Sequence, residues 1–257
     1  MSKNSFISTD AGQRAERNLM ALVNNVYPGR GIIIGRDKTG KNLIQVYFLM
    51  GRSPGSRNRI FELEKEEGFL KTAPADSRKV SAQDNNELIF YRAMAQKNGL
   101  FAVSNGHQTK TIMEFDSIGK NLYEAMFTHR YEPDSNFTPR ISAICSLRKR
   151  KIMVEMSILK KSRFGDYCDR GLWSFENFAP GLGYCLTTYE TNGNPLPSFE
   201  GEPFLLPLNG DIDDIISTTW EVLDENNRVS IAVKSINIET QNIEMRIINK
   251  YQREPAV

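Results

Sequence analysis

The chain has 257 residues, of which 40% are hydrophobic and 25% charged, and this balance suits a folded protein with a substantial core. Its 33 basic and 31 acidic side chains leave a net charge of +2, which gives no reason to expect binding to nucleic acid or a membrane. Three scattered cysteines and two histidines argue against a disulfide framework and a standard zinc motif. Without a membrane-spanning apolar run or a signal-like first segment, we expect a cytoplasmic protein that binds no metal ion.

Helices are predicted where apolar residues recur with helical spacing. The first occupies residues 11–25 and ends before a Pro-Gly pair, which cannot continue it. The others occupy residues 118–128 and 211–223, and Asp211 is a suitable N-cap for the last helix.

Strands are predicted mainly as hairpins, because runs of alternating apolar residues are separated by turn residues. The predicted hairpins and single strand fall at residues 31–50, 87–103, 141–159, 184–189 and 229–248. Residues 51–59 are too rich in Gly, Pro and Ser for regular structure, and residues 163–180 fit no element. Successive hairpins imply antiparallel sheets covered by helices, so we predict an α+β fold. No linker or repeat divides the chain, which we therefore expect to form a single domain over residues 1–257.

Arginine and hydroxyl side chains are concentrated in the loop of residues 51–59. Arg52, Ser53, Ser56, Arg57 and Arg59 all lie within eight residues of one another. Forked guanidinium groups, hydroxyls and free backbone N–H groups are what a phosphate or oxyanion site requires. Phosphate binding and an exposed basic turn are both open interpretations of this composition.

Two further segments carry polar residues next to predicted elements. Asn105 and Gly106 follow a strand, where they form a plain turn or present an amide and a backbone N–H to a ligand. Glu132 lies just beyond the second helix, where it is a general base, an orienting group or a surface carboxylate. Thr138 and Arg140 open the next strand.

The order and spacing of these motifs resemble those of the archaeal-type IMP cyclohydrolase family. The resemblance runs from about Tyr27 to Glu190, and more weakly through the last helix and hairpin. The matching positions are Tyr27-Pro-Gly-Arg30, Gly51-Arg-Ser53 with Arg57, Tyr91, Val103-Ser-Asn-Gly106 with Thr109, Tyr131-Glu132, Thr138-Pro-Arg-Ile141 and Thr188-Tyr-Glu190.

The chain departs from the family pattern in four places, one of which is His107-Gln108, where the family often has Ser or Thr followed by His. Residues 1–26 form an extension, predicted to be helical, and residues 163–180 look like an insertion. The family's loop often reads Ser-Arg-Ser-Phe-Pro-Asn-Arg, whereas this chain has Gly51-Arg-Ser-Pro-Gly-Ser-Arg57. The geometry of the arginine donors is therefore expected to differ.

The resemblance implies a four-layer αββα sandwich like that of N-terminal nucleophile hydrolases, without their self-processing nucleophile. It implies a reaction of purine biosynthesis, the dehydrative ring closure of 5-formamidoimidazole-4-carboxamide ribonucleotide to IMP. This chemistry requires no cofactor, and the expected partner is the purine nucleotide alone. The resemblance leaves a homo-oligomer open.

The same resemblance implies roles for individual residues. Arg30, Tyr91 and Glu132 are expected to be catalytic: Tyr91 as a proton donor or oxyanion stabiliser, and Glu132 as a base or orienting group. The expected substrate- and phosphate-binding residues are Arg52, Ser53, Arg57, Asn105, Gly106, Thr138, Arg140, Tyr189 and Glu190. The alternatives are a non-catalytic purine-nucleotide-binding protein and a related nucleotide cyclohydrolase or amidohydrolase on the same scaffold.

Overall fold

Two antiparallel sheets face each other in the computed structural model, which describes residues 3–64, 68–80, 86–148, 152–176 and 178–252. The helices are α1 (Lys3–Val23), α2 (Pro54–Arg57), α3 (Asn86–Ile89), α4 (Gln108–Ser117), α5 (Leu122–Phe127) and α6 (Ile212–Val222). The strands are β1 (Arg30–Arg36), β2 (Asn42–Met50), β3 (Ile60–Glu64), β4 (Phe69–Ala73), β5 (Arg92–Lys97), β6 (Leu100–Ser104), β7 (Arg140–Ser146), β8 (Met153–Lys161), β9 (Cys168–Phe175), β10 (Leu182–Thr187), β11 (Phe204–Pro207), β12 (Arg228–Asn237) and β13 (Ile243–Asn249).

The first sheet has six strands in the order β11-β10-β1-β2-β12-β13, and the second has seven in the order β3-β4-β5-β6-β7-β8-β9. Sequential strands of the second sheet are all neighbours, and the longest connection, between β6 and β7, contains helices α4 and α5. In the first sheet, β10 and β12 flank the β1–β2 hairpin although they come from the second half of the chain. This pairing places the turns after β2 and β10 at the same end of the sheet.

A shared apolar core fills the space between the sheets. Ile32 and Tyr47 of the first sheet pack there with Phe101 and Ile141 of the second. Successive strand residues point to opposite faces, and Ile33 accordingly belongs to a different cluster on the outer face of the first sheet. Because β1 is buried on both faces, it reads as a continuous apolar run.

Helices cover the outer faces. Leu22 of α1, with Ile215 and Ile216 of α6, packs on the first sheet. Ile112 of α4 and Met126 of α5 pack on the second sheet. The fold is therefore α+β, with helices outside two antiparallel sheets. No helix in the described part of the chain is long and apolar enough to cross a membrane.

Several predicted elements are confirmed. The hairpins β1–β2, β7–β8 and β12–β13 have the expected pairing, and β10 provides the predicted strand. Helix α6 also agrees, and the Asp211 side chain caps it by accepting from the backbone N–H groups of Asp213 and Asp214. Helix α1 includes most of the predicted residues, but it begins earlier, at Lys3, and ends at Val23, two residues before the predicted end.

Other predictions were wrong. Of the predicted helix 118–128, only residues 122–127 are helical, as α5, because Gly119 has a φ of +78° and Asn121 caps the helix that follows. Helix α4, which ends at Ser117, was not predicted. Residues 86–89 form helix α3, so the predicted strand starts only at Arg92.

Two segments for which no regular structure was predicted contain short elements. In residues 51–59, Ser53 caps the one-turn helix α2 through a capping box with Ser56, and Pro54 stands at the first turn. In residues 163–180, strand β9 extends the second sheet.

Candidate active site

Strand ends from both sheets meet at one cleft with a volume of about 410 Å³. Arg30 starts β1, and Arg52 and Ser53 follow the paired strand β2. Facing them, Glu132 and Thr138 lie in the segment that leads into β7. The predicted site residues that line the cleft are Arg30, Arg52, Ser53, Glu132, Thr138 and Tyr189.

A buried ion pair links the two sheets at this cleft. Nη2 of Arg30 lies 3.7 Å from Oε2 of Glu132, and the two side chains are 12% and 3% exposed. Burial raises the pKa of Glu132, and the positive charges of Arg30 and Arg140 oppose the rise only in part. Burial alone lowers the pKa of Arg30, but Glu132 and nearby tyrosines hold it well above its ordinary value. Glu132 is therefore suited to exchange a proton closer to neutrality than an exposed glutamate.

The Asn105 side chain contacts the Glu132 carboxylate. Its Nδ2 donates to the carbonyl of Pro139 at 2.9 Å and lies 3.4 Å from Oε1 of Glu132. Its Oδ1 accepts from the backbone N–H of Ile141 at 2.8 Å. The side chain is fully buried, so its position fits support of the carboxylate better than direct contact with a ligand.

Gly106 and Arg140 lie together beside Asn105. Nη1 of Arg140 donates to Oε1 of Gln108 at 2.9 Å. A Cβ on Gly106 would lie 2.5 Å from this Nη1 and 2.4 Å from this Oε1, so a side chain at this position would displace Arg140. Gly106 and Arg140 do not line the cleft. Arg140 still influences the site, because its positive charge acts to lower the pKa of Glu132.

Tyr91 lies immediately before β5 and behind the cleft wall. It is 4% exposed, and its hydroxyl oxygen is 2.6 Å from that of Tyr47 on the opposite sheet. Burial raises the pKa of Tyr91, against the lowering effects of Arg30 and Arg59. The hydroxyl therefore remains protonated at neutral pH within an electropositive surrounding.

Arg59 lines the cleft although it was not among the predicted binding residues. It is 1% exposed, and its Nε donates to the carbonyl of Ser56 at 2.9 Å. Within the described residues, its Nη1 and the Nε of Arg30 are buried donors without a hydrogen-bond partner. Burial, with the nearby charge of Arg30, lowers the pKa of Arg59. Two buried guanidinium groups with unused donors are an arrangement that favours an anionic or polarised oxygen.

Arg52 and Arg57, from the same loop, occupy different places. Arg52 lies at the exposed rim, where its Nη1 donates to the carbonyl of Gly193 at 3.0 Å and its guanidinium stands 4.9 Å from the centre of the Tyr27 ring. Arg57 donates instead to the carbonyl of Gly51 at 3.1 Å, outside the cleft lining. Only Arg52 of this pair can reach a ligand in the cleft without moving the loop.

Thr138 and Tyr189 form another wall. Their hydroxyl oxygens are 2.6 Å apart, and Thr138 Oγ1 donates to Oδ2 of Asp134 at 2.6 Å. The Tyr189 ring stacks on Tyr27 at 6.0 Å between centroids, and burial raises its pKa to about 12. Glu190 lies apart from this wall and lines a separate cavity beside α1.

The sequence held a signal for Arg59. Residues 54–57 separate Ser53 from Asn58, where the loop of the resembled family has only Phe and Pro before its Asn-Arg pair. Asn58-Arg59 therefore matches the end of that loop once the insertion is allowed for. The extra residues form helix α2, and Arg57, at its end, does not line the cleft.

The cleft and its walls thus combine a buried carboxylate, phenols and several guanidinium groups. Such an arrangement can move protons and stabilise negative charge on a bound molecule. Within the described ranges, no group of three or more His, Cys, Asp and Glu side chains is placed to hold a metal ion.

Comparison with known proteins identifies a family for this chain. The family model described as IMP cyclohydrolase-like protein matches residues 27–241. The match begins at Tyr27 and includes every residue named in the cleft. No curated protein matches the chain.

Proposed function

The chain belongs to the IMP cyclohydrolase-like family, and from this premise we propose that it closes the pyrimidine ring of IMP from 5-formamidoimidazole-4-carboxamide ribonucleotide. The single observation that carries the proposal is the buried pair of Glu132 and Arg30, with Tyr91 and Arg59 beside it. This reaction serves purine nucleotide biosynthesis in the cytoplasm. The helix–sheet–sheet–helix layering supports a fold similar to that of N-terminal nucleophile hydrolases.

Ring closure joins the carboxamide nitrogen to the formyl carbon. The nitrogen loses one proton as the new C–N bond forms, and the formyl oxygen becomes negatively charged before it is protonated. The C–O bond then breaks and water leaves, while the former formamide nitrogen gives up its proton. The two protons lost by the nitrogens are the two that the departing oxygen carries away.

Glu132 is proposed to take the proton from the carboxamide nitrogen. An amide nitrogen is a weak nucleophile, so a base within the site is needed at the moment of attack. The raised pKa of Glu132 brings its basicity closer to the working pH, because a buried carboxylate gains more from accepting a proton. Asn105 keeps Oε1 of Glu132 in position at 3.4 Å.

The positive groups are proposed to stabilise the formyl oxygen and bind the phosphate. Arg30, which pairs with Glu132, and Tyr91, which experiences the charges of both, are suited to the developing oxyanion. Arg52 and Ser53 stand at the rim, where a 5′-phosphate can remain partly solvated. Holding both reacting groups of one molecule in contact removes most of the entropic barrier to ring closure.

Turnover of the formylated nucleotide by the purified chain tests the proposal. We expect IMP to accumulate, followed by its ultraviolet absorbance, and we expect Glu132→Gln to abolish most of this activity. Activity should survive dialysis against EDTA. Tight IMP binding without any turnover would contradict catalysis and indicate a nucleotide-binding protein instead. Turnover of a different nucleotide only would indicate a related cyclohydrolase.

A further inference from the structure

Asp134 is a second carboxylate in the lining of the cleft, beside Glu132. Both of its oxygens accept from Thr138: Oδ1 from the backbone N–H at 2.7 Å, and Oδ2 from the hydroxyl at 2.6 Å. The backbone N–H of Glu132 donates to the carbonyl of Thr138 at 2.8 Å, which closes this loop at its base. An ionised carboxylate has about four acceptor positions, so the Asp134 side chain is held in place and can still accept from a ligand.

The Tyr189 hydroxyl continues this chain of hydrogen bonds. Its oxygen lies 2.6 Å from Oγ1 of Thr138, and both residues line the cleft. Thr138 has a single hydroxyl proton, and that proton goes to Asp134, because a carboxylate can only accept. The proton between Thr138 and Tyr189 therefore comes from Tyr189. The Tyr189 oxygen is left as an acceptor toward the cleft.

The Asp134 carboxylate and the Tyr189 oxygen together form an acceptor wall of the cleft. Such a wall disfavours a phosphate group, which carries negative charge and acceptor oxygens, and it favours O–H and N–H donors. The rest of the lining has the opposite character, because Arg30, Arg52 and Arg59 supply positive donors. A nucleotide is therefore expected to lie with its phosphate away from the acceptor wall.

The acceptor wall lies between the groups that the proposed function assigns to the two ends of the nucleotide. On one side, the Tyr189 ring stacks on Tyr27, and the guanidinium of Arg52 stands 4.9 Å from the centre of the Tyr27 ring. On the other side, Asp134 belongs to the same closed loop as Glu132. The ribose joins the phosphate to the base, so it is the part of the nucleotide that reaches this wall.

We propose that Asp134 and Tyr189 bind the ribose hydroxyls and make the cleft selective for ribonucleotides over deoxyribonucleotides. An acidic side chain that accepts from a ribose hydroxyl is a common means of recognising this sugar. The inference rests on the proposed function, because the phosphate and the reacting groups fix where the ribose lies. Thr138 is a positioning residue, since its contact with Asp134 determines the direction in which Tyr189 donates.

Isothermal titration calorimetry with IMP, 2′-deoxy-IMP and 3′-deoxy-IMP tests the inference. We expect the native chain to bind IMP about tenfold more tightly than at least one of the deoxy analogues, because a missing hydroxyl leaves an acceptor of the wall without a donor. Equal affinity for the three nucleotides would overturn the inference, and so would a native chain that binds none of them.

Asp134→Asn and Tyr189→Phe test which groups provide the selectivity. We expect each variant to lose about five- to tenfold in affinity for IMP and less than twofold for one of the deoxy analogues. A partly unfolded sample cannot imitate this result, because unfolding lowers the apparent affinity for all three nucleotides alike. Asp213→Asn, at an exposed position of α6, is the matched control and should retain the native selectivity.

An equal loss of affinity for all three nucleotides in Asp134→Asn and Tyr189→Phe would overturn the inference, because it would indicate a structural role. Tighter binding of all three by Asp134→Asn would also overturn it, because relief of repulsion would place the phosphate beside Asp134.

Thr138→Ser and Thr138→Val test the positioning role of Thr138. Serine retains the hydroxyl and should preserve the native preference for IMP, whereas valine removes the acceptor of the Tyr189 proton and should reduce that preference about as much as Tyr189→Phe does. Native selectivity in Thr138→Val would overturn this role.

Turnover of the formylated nucleotide separates this inference from the proposed function. Ribose selectivity without turnover would contradict ring closure and still support the acceptor wall. Turnover without ribose selectivity would overturn the acceptor wall and leave ring closure supported.

Discussion

Oε1 of Glu132 and Nδ2 of Asn105 lie 3.4 Å apart in a buried contact, while Nη2 of Arg30 lies 3.7 Å from the other carboxylate oxygen, Oε2. Glu132 is thus held by a neutral amide on one oxygen and a guanidinium on the other. The arrangement keeps the carboxylate oriented while burial raises its pKa. Because the amide of Asn105 carries no charge, it positions the Glu132 carboxylate and leaves it able to accept a proton.

The pH dependence of turnover should report Glu132. A base must be ionised, so kcat/KM should fall as the pH is lowered through the pKa of Glu132, which burial raises above the ordinary glutamate value. The pH profile of the native chain should show this acidic limb, and Glu132→Gln should lack it in whatever activity remains. Glu114→Gln, on the exposed surface of α4, should retain the native profile. An acidic limb at the ordinary glutamate value would contradict the assignment.

Arg59 should contribute more to nucleotide binding than Arg57. Arg59→Met removes a buried guanidinium that lines the cleft and has an unused donor, and a charge-assisted contact contributes roughly 1.5–3 kcal/mol. Isothermal titration calorimetry should show IMP binding about ten- to a hundredfold weaker for Arg59→Met. Arg57→Met, from the same loop, should change the affinity less than threefold. Equal changes in IMP affinity for the two variants would contradict a role of Arg59 in nucleotide binding.

Lys234 should make stability depend on pH. It is fully buried between the sheets, and burial lowers its pKa from 10.5 to about 7. Between these values the unfolded chain binds a proton that the folded chain does not, so stability is lost as the pH falls from 10.5 towards 7. Urea unfolding of Lys234→Met should lack this dependence and give a gain of about 1–3 kcal/mol at neutral pH. The control Lys97→Met, at an exposed position, should retain the pH dependence of stability. A Lys234→Met variant whose stability still fell with pH over this range would contradict the prediction.

Helix α1 should contribute to stability and not to chemistry. Ala15 and Leu22 are buried against the first sheet, and Nδ2 of Asn18 donates to the carbonyl of Leu205 at 2.9 Å. A chain beginning at Val26 should therefore unfold with a free energy lower by about 2–4 kcal/mol. Its kcat should remain within a few-fold of the native value, because the cleft residues begin at Tyr27. A folded truncated chain that binds IMP normally and cannot turn over would contradict this view.

The strands were predictable where the pattern is local. Hairpins such as β12–β13 show apolar runs on both sides of a short turn, and this local pattern is enough to predict both strands and their pairing. Helix α4 was missed because only Ile112 of its apolar residues is buried deeply, so its periodicity is weak. The order in which β10 and β12 flank the β1–β2 hairpin is a long-range arrangement that no local pattern reports.

The candidate site was predictable as a set but not in its geometry. Ordered motifs indicated Arg30, Glu132 and Tyr189, and the structure brings these together. Whether Arg57 or Arg59 lines the cleft depends on the single turn of helix α2, in a loop whose sequence predicts no regular structure. Tyr47 reads as a core residue of an apolar strand, and its contact with Tyr91 crosses from one sheet to the other.

The ratio of the loss in kcat to the loss in IMP affinity for Glu132→Gln and Tyr91→Phe tests the proposed mechanism most directly. Both groups are proposed to meet demands that peak in the transition state, and general acid–base assistance typically contributes about 10²–10⁴-fold. We predict at least a tenfold fall in kcat for each variant, with IMP affinity and melting temperature close to native values. Near-native kcat in both variants, with any loss confined to melting temperature, would contradict the mechanism even though the family assignment stands.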